Sequence, residues 1–290
     1  MYFTYLQITG MINLLIKTNF KKKGMIAVTY ELGKNSFKEA ISKKQVQYGI
    51  FVETPAISPV EIAAIAGADF IRLDWCHAPL DLSMIAAQVI AAERYGIIPM
   101  VRIDYDPYKI SYCLDLGVMG IIVPDVSTAA KARDVVKAAR FSPIGDRSMF
   151  AINRKSGYGA INAAEFKEWS NNEVIICIQI ESKEAIENLD EILEIESIDL
   201  IMSGRGDLAN SLGVPGQKTH PIVLEAEEKL FAKALAKGKH ISVTLDPFIA
   251  SFTDEIKSWK QKGACVFSLG MDHTFLKKSL ENAFIRAKLS

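Results

Sequence analysis

From Tyr48 onward, short β-branched or apolar runs alternate with longer amphipathic stretches, and the alternation repeats eight times. No other feature constrains the chain as strongly, because repeated βα units bury their strands in a parallel sheet covered by helices. Strands are expected at Tyr48–Glu53, Phe70–Trp75, Ile98–Ile103, Gly120–Pro124, Val174–Glu181, Ile198–Gly204, His240–Leu245 and Cys265–Gly270. Helices fall between them. Ser58 is expected to cap a helix through Ala66, with Pro59 at its first position and Glu61 completing a capping box. Ser83–Tyr95, Ser127–Arg140, Glu184–Leu193, Pro221–Lys237 and Asp272–Lys288 supply further helices. No Gly/Ser- or Pro-rich linker interrupts the series, so residues 35–290 read as one domain. Eight strands without a G-x-G-x-x-G after the first favour a closed (β/α)8 TIM barrel over an open doubly wound sheet.

One connection is unusually long. Phe141 to Glu173 carries Arg147, Arg154 and Gly157-Tyr158-Gly159 with little periodicity, and it is expected to lie on the catalytic face after the fourth strand. The segment before the barrel, residues 1–34, reads as an extension outside it. Its apolar stretch precedes Lys21, Lys22 and Lys23, the reverse of a secretory signal. Thr4, Gln7, Thr9 and Asn13 make it too polar to span a bilayer, and Met11 or Met25 are alternative starts.

Charge narrows the partners. Lys plus Arg and Asp plus Glu each number 34, so nothing favours nucleic acid or an anionic membrane, and a small molecule is the expected ligand. Cys76, Cys113, Cys177 and Cys265 form no C-x-x-C pair and read as reduced thiols of a cytoplasmic protein.

In such a barrel, chemistry belongs at the C-terminal strand ends. Those ends carry Asp74 to His77 on strand two, Arg102 on strand three, Gln179 and Glu181 on strand five, and Ser203 to Asp207 on strand six. Glu181 and Asp207 are one βα unit apart and can converge as hard-oxygen ligands for Mg²⁺ or Mn²⁺. The alternatives are that Glu181 caps the next helix and Asp207 pairs with Arg205. His77, in a loop beside Pro79, is a candidate general acid/base, although a lone histidine can be a plain polar side chain. Arg102 is a candidate oxyanion partner, or the partner of Asp104 or Asp106. No strand end offers a lysine for imine chemistry, so metal-assisted enolisation is favoured. No Gly-rich cradle follows strands seven and eight, which suggests a substrate without phosphate.

Over Asn35 to Leu289 the chain resembles the HpcH/HpaI aldolase family, the class II pyruvate aldolases. The residues are Asn35-Ser36-Phe37-Lys38, Leu73-Asp74-Trp75-Cys76-His77-Ala78-Pro79 against D-x-E-H-x-P, and Val101-Arg102. Leu114-Asp115-Leu116-Gly117, Gln179-Ile180-Glu181, Gly204-Arg205-Gly206-Asp207-Leu208 and Ser211 to Gln217 follow in order. The resemblance implies a barrel, commonly a hexamer, whose last helix packs on a neighbouring subunit. It implies Glu181 and Asp207 as ligands of a divalent cation (Mg²⁺, Mn²⁺ or Co²⁺) and Arg102 at the keto oxygen of pyruvate. It implies His77 as base and Asp115 as its orienting partner, with Gln179 and the Gly204-Arg205-Gly206 backbone around the pyruvate carboxylate. Asp115 ends a helix, at the face opposite His77, so it serves His77 only from a neighbouring chain; otherwise it pairs with its own helix end or a nearby lysine. The substrates so implied are a 2-oxo acid and an aldehyde. Cys76 replaces the family glutamate and Ser148 a glycine, which bears on the acceptor and the rate. Two rival readings remain: a citrate-lyase-like or citrate-forming enzyme on the same scaffold, and a catalytically silent 2-oxo-acid-binding protein.

Overall fold

The computed structural model describes residues 30–289. Eight parallel strands close into a barrel in sequence order: β1 (Gln47–Val52), β2 (Phe70–Asp74), β3 (Ile98–Arg102), β4 (Gly120–Val123), β5 (Ile175–Ile180), β6 (Leu200–Ser203), β7 (His240–Thr244) and β8 (Val266–Met271). β8 pairs back onto β1, so the sheet has no free edge. The expectation of a (β/α)8 barrel is met. The N-terminal extension falls largely among residues 1–29, outside the described residues.

The helices are α1 (Ser36–Ser42), α2 (Ser58–Ile65), α3 (Leu82–Tyr95), α4 (Pro107–Leu116), α5 (Ala129–Ala139), α6 (Ala163–Glu173), α7 (Lys183–Glu187), α8 (Leu189–Leu193), α9 (Arg205–Ser211), α10 (Pro221–Ala236), α11 (Phe252–Gln261) and α12 (Asp272–Leu289). Alternate strand residues divide the core. Ile71, Leu73, Val101, Ile121, Ile176, Ile201 and Val243 pack outward beneath the helices, while Phe51, Phe70, Met100, Ile122, Cys177 and Met202 fill the barrel. The bottom is plugged by α1, whose Phe37 meets Phe70 edge-on at 5.1 Å. Asn35 fixes that plug: it caps α1 and donates to the carbonyls of Met119 and Glu173 at 3.1 and 2.8 Å.

Three local expectations change. Ser58 does not cap α2; the helix starts at Ser58 and Ile57 occupies the cap position without a side-chain bond. The stretch read as a single helix from Glu184 to Leu193 is two short helices separated at Asn188, whose Nδ2 donates to the Ser127 carbonyl. The long connection belongs to the other face. It follows α5, not β4, and contains α6, capped by Asn162. Its Lys155 amide donates to the Asp115 carbonyl at 3.0 Å and Arg154 to the Leu116 carbonyl at 2.7 Å, so it packs where α4 ends. Within one subunit it therefore cannot cover the catalytic face.

α12 has no buried residue, and Leu276, Leu280, Phe284, Ile285 and Leu289 stand exposed along it. No helix among the described residues is long and apolar enough to cross a membrane.

Candidate active site

The ends of β2 to β6 surround a cavity of about 390 Å³ lined by Cys76, His77, Arg102, Asp104, Asp125, Gln179, Glu181 and Asp207, among others. Asp74 organises one wall. Strand register sets it opposite Arg102, and it is fully buried. Its carboxylate takes both arms of the guanidinium fork, Nε at 3.0 Å and Nη2. The same carboxylate accepts the amides of Cys76 and His77 at 3.1 and 3.4 Å. One side chain thus fixes the arginine and the loop that presents His77. Burial opposes the charge on Arg102, but the Asp74 hydrogen bond and charge outweigh it and hold the guanidinium above its ordinary pKa. Arg102 pairs with Asp74, not with Asp104 or Asp106.

Glu181 forms the opposite wall. It does not cap α7, a task done by Ser182. Its carboxylate accepts the Asp125 amide at 2.8 Å and the Gln179 side-chain amide. Burial, assisted by the negative charge of Asp207, pushes its pKa up to about 7, against hydrogen bonds that pull it down. Asp207 does not pair with Arg205. That guanidinium turns onto Glu227, at 2.8 and 2.6 Å, so only the backbone of Arg205 remains for a ligand. Gly204 is required by close approach: a Cβ there overlaps the Glu181 carboxylate and the Gln179 amide.

Asp115 lies elsewhere. It accepts from Arg147 at 2.5 Å and Asn153 at 3.0 Å, not from a lysine, and lines a separate groove with Tyr105, Tyr108, Tyr112 and Phe150. Ser148 lines that groove too. Sequence reasoning missed Asp74 as organiser, and it missed Asp104 and Asp125. Asp125 follows Pro124 at the end of β4, the strand end to which no role was given. Its left-handed backbone, φ 52°, is a conformation aspartate tolerates better than most residues. Asp104 lines the cavity together with Cys76, so a carboxylate stands near the position where the family glutamate is absent. Burial, with the charges of Asp104 and Asp74, pushes the Cys76 thiol up to about 12, which excludes a thiolate nucleophile.

The family model for HpcH/HpaI aldolase/citrate lyase matches residues 47–278. The chain belongs to this family. It is 33% identical over 257 residues to a 2-keto-3-deoxy-L-rhamnonate aldolase of Salmonella paratyphi A, covering 88% of this chain and 93% of that one. An HpcH/HpaI aldolase from Desulfitobacterium hafniense DCB-2 superposes with a TM-score of 0.80 at 28% identity, over 87% of this chain and 96% of that one. Citrate synthase SbnG superposes with 0.78 at 29% identity, over 87% and 97%. Family membership makes the chain a carbon–carbon lyase of the aldolase type, as its motifs implied.

A first prediction arises from the Gly204 contact. Gly204→Ala is expected to displace the Glu181 carboxylate within the cavity and lower turnover about 10²-fold, the upper range for disturbing the support of a site residue. Thermal unfolding should change little, because Gly204 precedes a short helix at the rim of the barrel. Steady-state rates beside a melting curve check this.

Proposed function

We propose that the protein is a divalent-metal-dependent aldolase that cleaves or forms 4-hydroxy-2-oxo acids through a pyruvate enolate. The single observation that carries this reading is the cavity that gathers Glu181, Asp207, Gln179, Arg102 and His77. The donors fit a hard cation. Among the described residues no group of three or more His, Cys, Asp or Glu side chains forms a full cage. Two carboxylates, with other positions left to water and substrate oxygens, suit Mg²⁺ or Mn²⁺, and Co²⁺ is chemically compatible. The buried Gln179 Oε1 has no partner and is available to a bound water or substrate donor.

Glu181 and Asp207 would hold the cation, which supplies Lewis-acid polarisation of the substrate carboxylate and keto oxygens. Arg102, aimed by Asp74, donates toward the keto oxygen, where negative charge develops. Gln179 and the Gly204-Arg205-Gly206 backbone flank the carboxylate. In the cleavage direction His77 removes the proton from the C4 hydroxyl, the C3–C4 bond breaks and the aldehyde leaves. The electron pair of that bond becomes the enolate of pyruvate, and protonation at C3 completes the reaction.

Cation binding is expected to be coupled to protons. With Glu181 titrating near 7, the metal-free protein holds close to one proton there at pH 6 and little at pH 8. Affinity therefore rises with pH up to about 7 and then levels. Calorimetry in buffers of different ionisation heat should find about one proton released at pH 6 and almost none at pH 8. The same raised carboxyl contributes stability to the metal-free fold below 4.5, and that stability is lost as pH rises through 7.

We place Asp115 beside the His77 of a neighbouring subunit. Asp115 is far from its own His77 along the strand direction, yet it opens onto an exposed aromatic groove of about 590 Å³. Together with the apolar stripe on α12, that groove suits a homo-oligomer, with a hexamer the state the family implies. Mixing inactive His77→Ala and Asp115→Ala proteins after dissociation and reassembly should restore part of the activity. Absence of recovery in oligomers shown to be mixed contradicts the shared site.

The likeness to citrate synthase SbnG favours one second reading, condensation with an oxaloacetate-type substrate. A panel of pyruvate or oxaloacetate with neutral and anionic acceptors separates the two. The aldolase reading predicts products from pyruvate plus an aldehyde; products only from oxaloacetate contradict it. The four free cysteines suit the reducing conditions of the cytoplasm.

A further inference from the structure

Arg72, the largest wholly buried side chain, lies inside the barrel and takes no part in the mechanism above. Two residues before Asp74 on β2, it reaches across the interior to β6 and β7. Nη2 donates to Ser242 Oγ at 2.6 Å, and Nη1 lies 3.1 Å from Met202 Sδ. Nε has no partner, and neither does the buried Ser268 Oγ. Among the described residues no carboxylate pairs with it. Its flat head is held between aromatic rings, 5.1 Å from the centroid of Phe70 and 5.5 Å from that of Phe51. Phe51 carries Arg102 as well, at 4.9 Å, so the two guanidinium groups share one ring.

An ionised group buried without a counter-charge is strongly disfavoured, and a hydrophobic side chain of similar size is ordinarily the more stable choice. Burial pulls the Arg72 pKa down to about 10, which still leaves it charged at neutral pH. The charges around the site show where this cation acts. A bound divalent ion would balance Glu181 and Asp207, and Asp74 balances Arg102. Asp125 pairs with Lys131 at the exposed rim, Asp104 is exposed, and Glu53 faces His273 at 3.1 Å. The substrate then brings a carboxylate and develops a second negative charge as its enolate forms. Arg72 is the remaining buried charge that offsets them.

We propose that Arg72 is a specificity-determining residue whose uncompensated charge beneath the cavity favours the anionic 2-oxo acid and its enolate at the expense of the cation. The proposal rests on the aldolase reading. Low-dielectric surroundings carry a fixed charge farther than water does. Arg72 thus acts through the field, without touching the substrate, and its effects on anion and cation have opposite signs. A residue that merely fills the barrel has no such signature.

The test compares Arg72→Met, which keeps the bulk between Phe51 and Phe70, with Arg72→Gln, which keeps a donor toward Ser242 but no charge. Calorimetry measures Mn²⁺ binding to the metal-free protein, and then binding of oxamate, an unreactive pyruvate analogue, to the Mn²⁺-loaded protein. In both variants oxamate should weaken about tenfold, and Mn²⁺, which carries twice the charge, should tighten by about a hundredfold. That is the scale for one charge acting across about 10 Å at an effective dielectric of about 20. The melting temperature of Arg72→Met should equal or exceed that of the parent. Unchanged constants, a weakening of both together, recovery in Arg72→Gln, or a lower melting temperature in both variants overturns the proposal. A parent protein that binds neither Mn²⁺ nor oxamate overturns the aldolase reading itself, and the proposal with it.

Discussion

Glu181→Gln is expected to remove aldol activity and weaken divalent-cation binding by more than the roughly 10–100-fold typical of changes around a ligand. The amide keeps the size of the side chain and can still accept the Asp125 amide, so the wall of the cavity should stand. What it loses is the negative charge that a hard cation requires. The change also removes a carboxyl whose burial is costly when ionised, since its pKa is pushed up to about 7. The metal-free variant should therefore melt no lower than the parent at pH 8, while the metal-loaded parent gains stability that the variant does not. Calorimetry with Mn²⁺ and melting curves with and without the ion check both halves. Tight Mn²⁺ binding by the variant contradicts the assignment of Glu181.

His77→Ala is expected to slow cleavage of a 4-hydroxy-2-oxo acid by roughly 10²–10⁴-fold, the range for a positioned general base. Cation affinity should be unchanged, because the His77 loop is held to Asp74 through backbone amides that alanine retains. Arg102→Lys should also fail, for a different reason. An ammonium cannot reproduce the two-armed contact with Asp74, so the charge loses its aim. Rates at saturating Mn²⁺, with Mn²⁺ affinity measured separately, distinguish these effects. Near-normal turnover of His77→Ala places the base elsewhere.

The barrel was legible because its signal is periodic and repeated: eight strand positions read from alternation coincide with eight strands. What escaped was local. Phe166 and Ser170 are the buried residues of α6, too few to print a helical stripe, so the segment passed for loop. The connection was misplaced for a separate reason: the helix read at Ser127–Arg140 already stood between it and the fourth strand, and whether a loop follows a strand or a helix decides its face of the barrel. At the site, residues with strong chemical character at strand ends were found, and Glu181, Arg102, His77, Gln179 and Asp207 share one cavity. Partnerships were harder. Arg102 was weighed against its sequence neighbours Asp104 and Asp106, whereas its partner is Asp74, brought opposite by the register of β2 and β3. Asp125 acts on Glu181 through a main-chain amide, which no side-chain pattern reveals. Arg72 was hidden for the opposite reason: within an apolar strand it resembles a break in the pattern, and only its position across the barrel shows what it faces.

The central claim, a cation held by Glu181 and Asp207 driving pyruvate release, is tested most directly by one assay. Purified protein stripped with EDTA is given a 4-hydroxy-2-oxo acid, and pyruvate is followed as Mn²⁺ or Mg²⁺ is added back. The account predicts no pyruvate without the ion and recovery that saturates at one cation per site. Full pyruvate release in excess EDTA contradicts it.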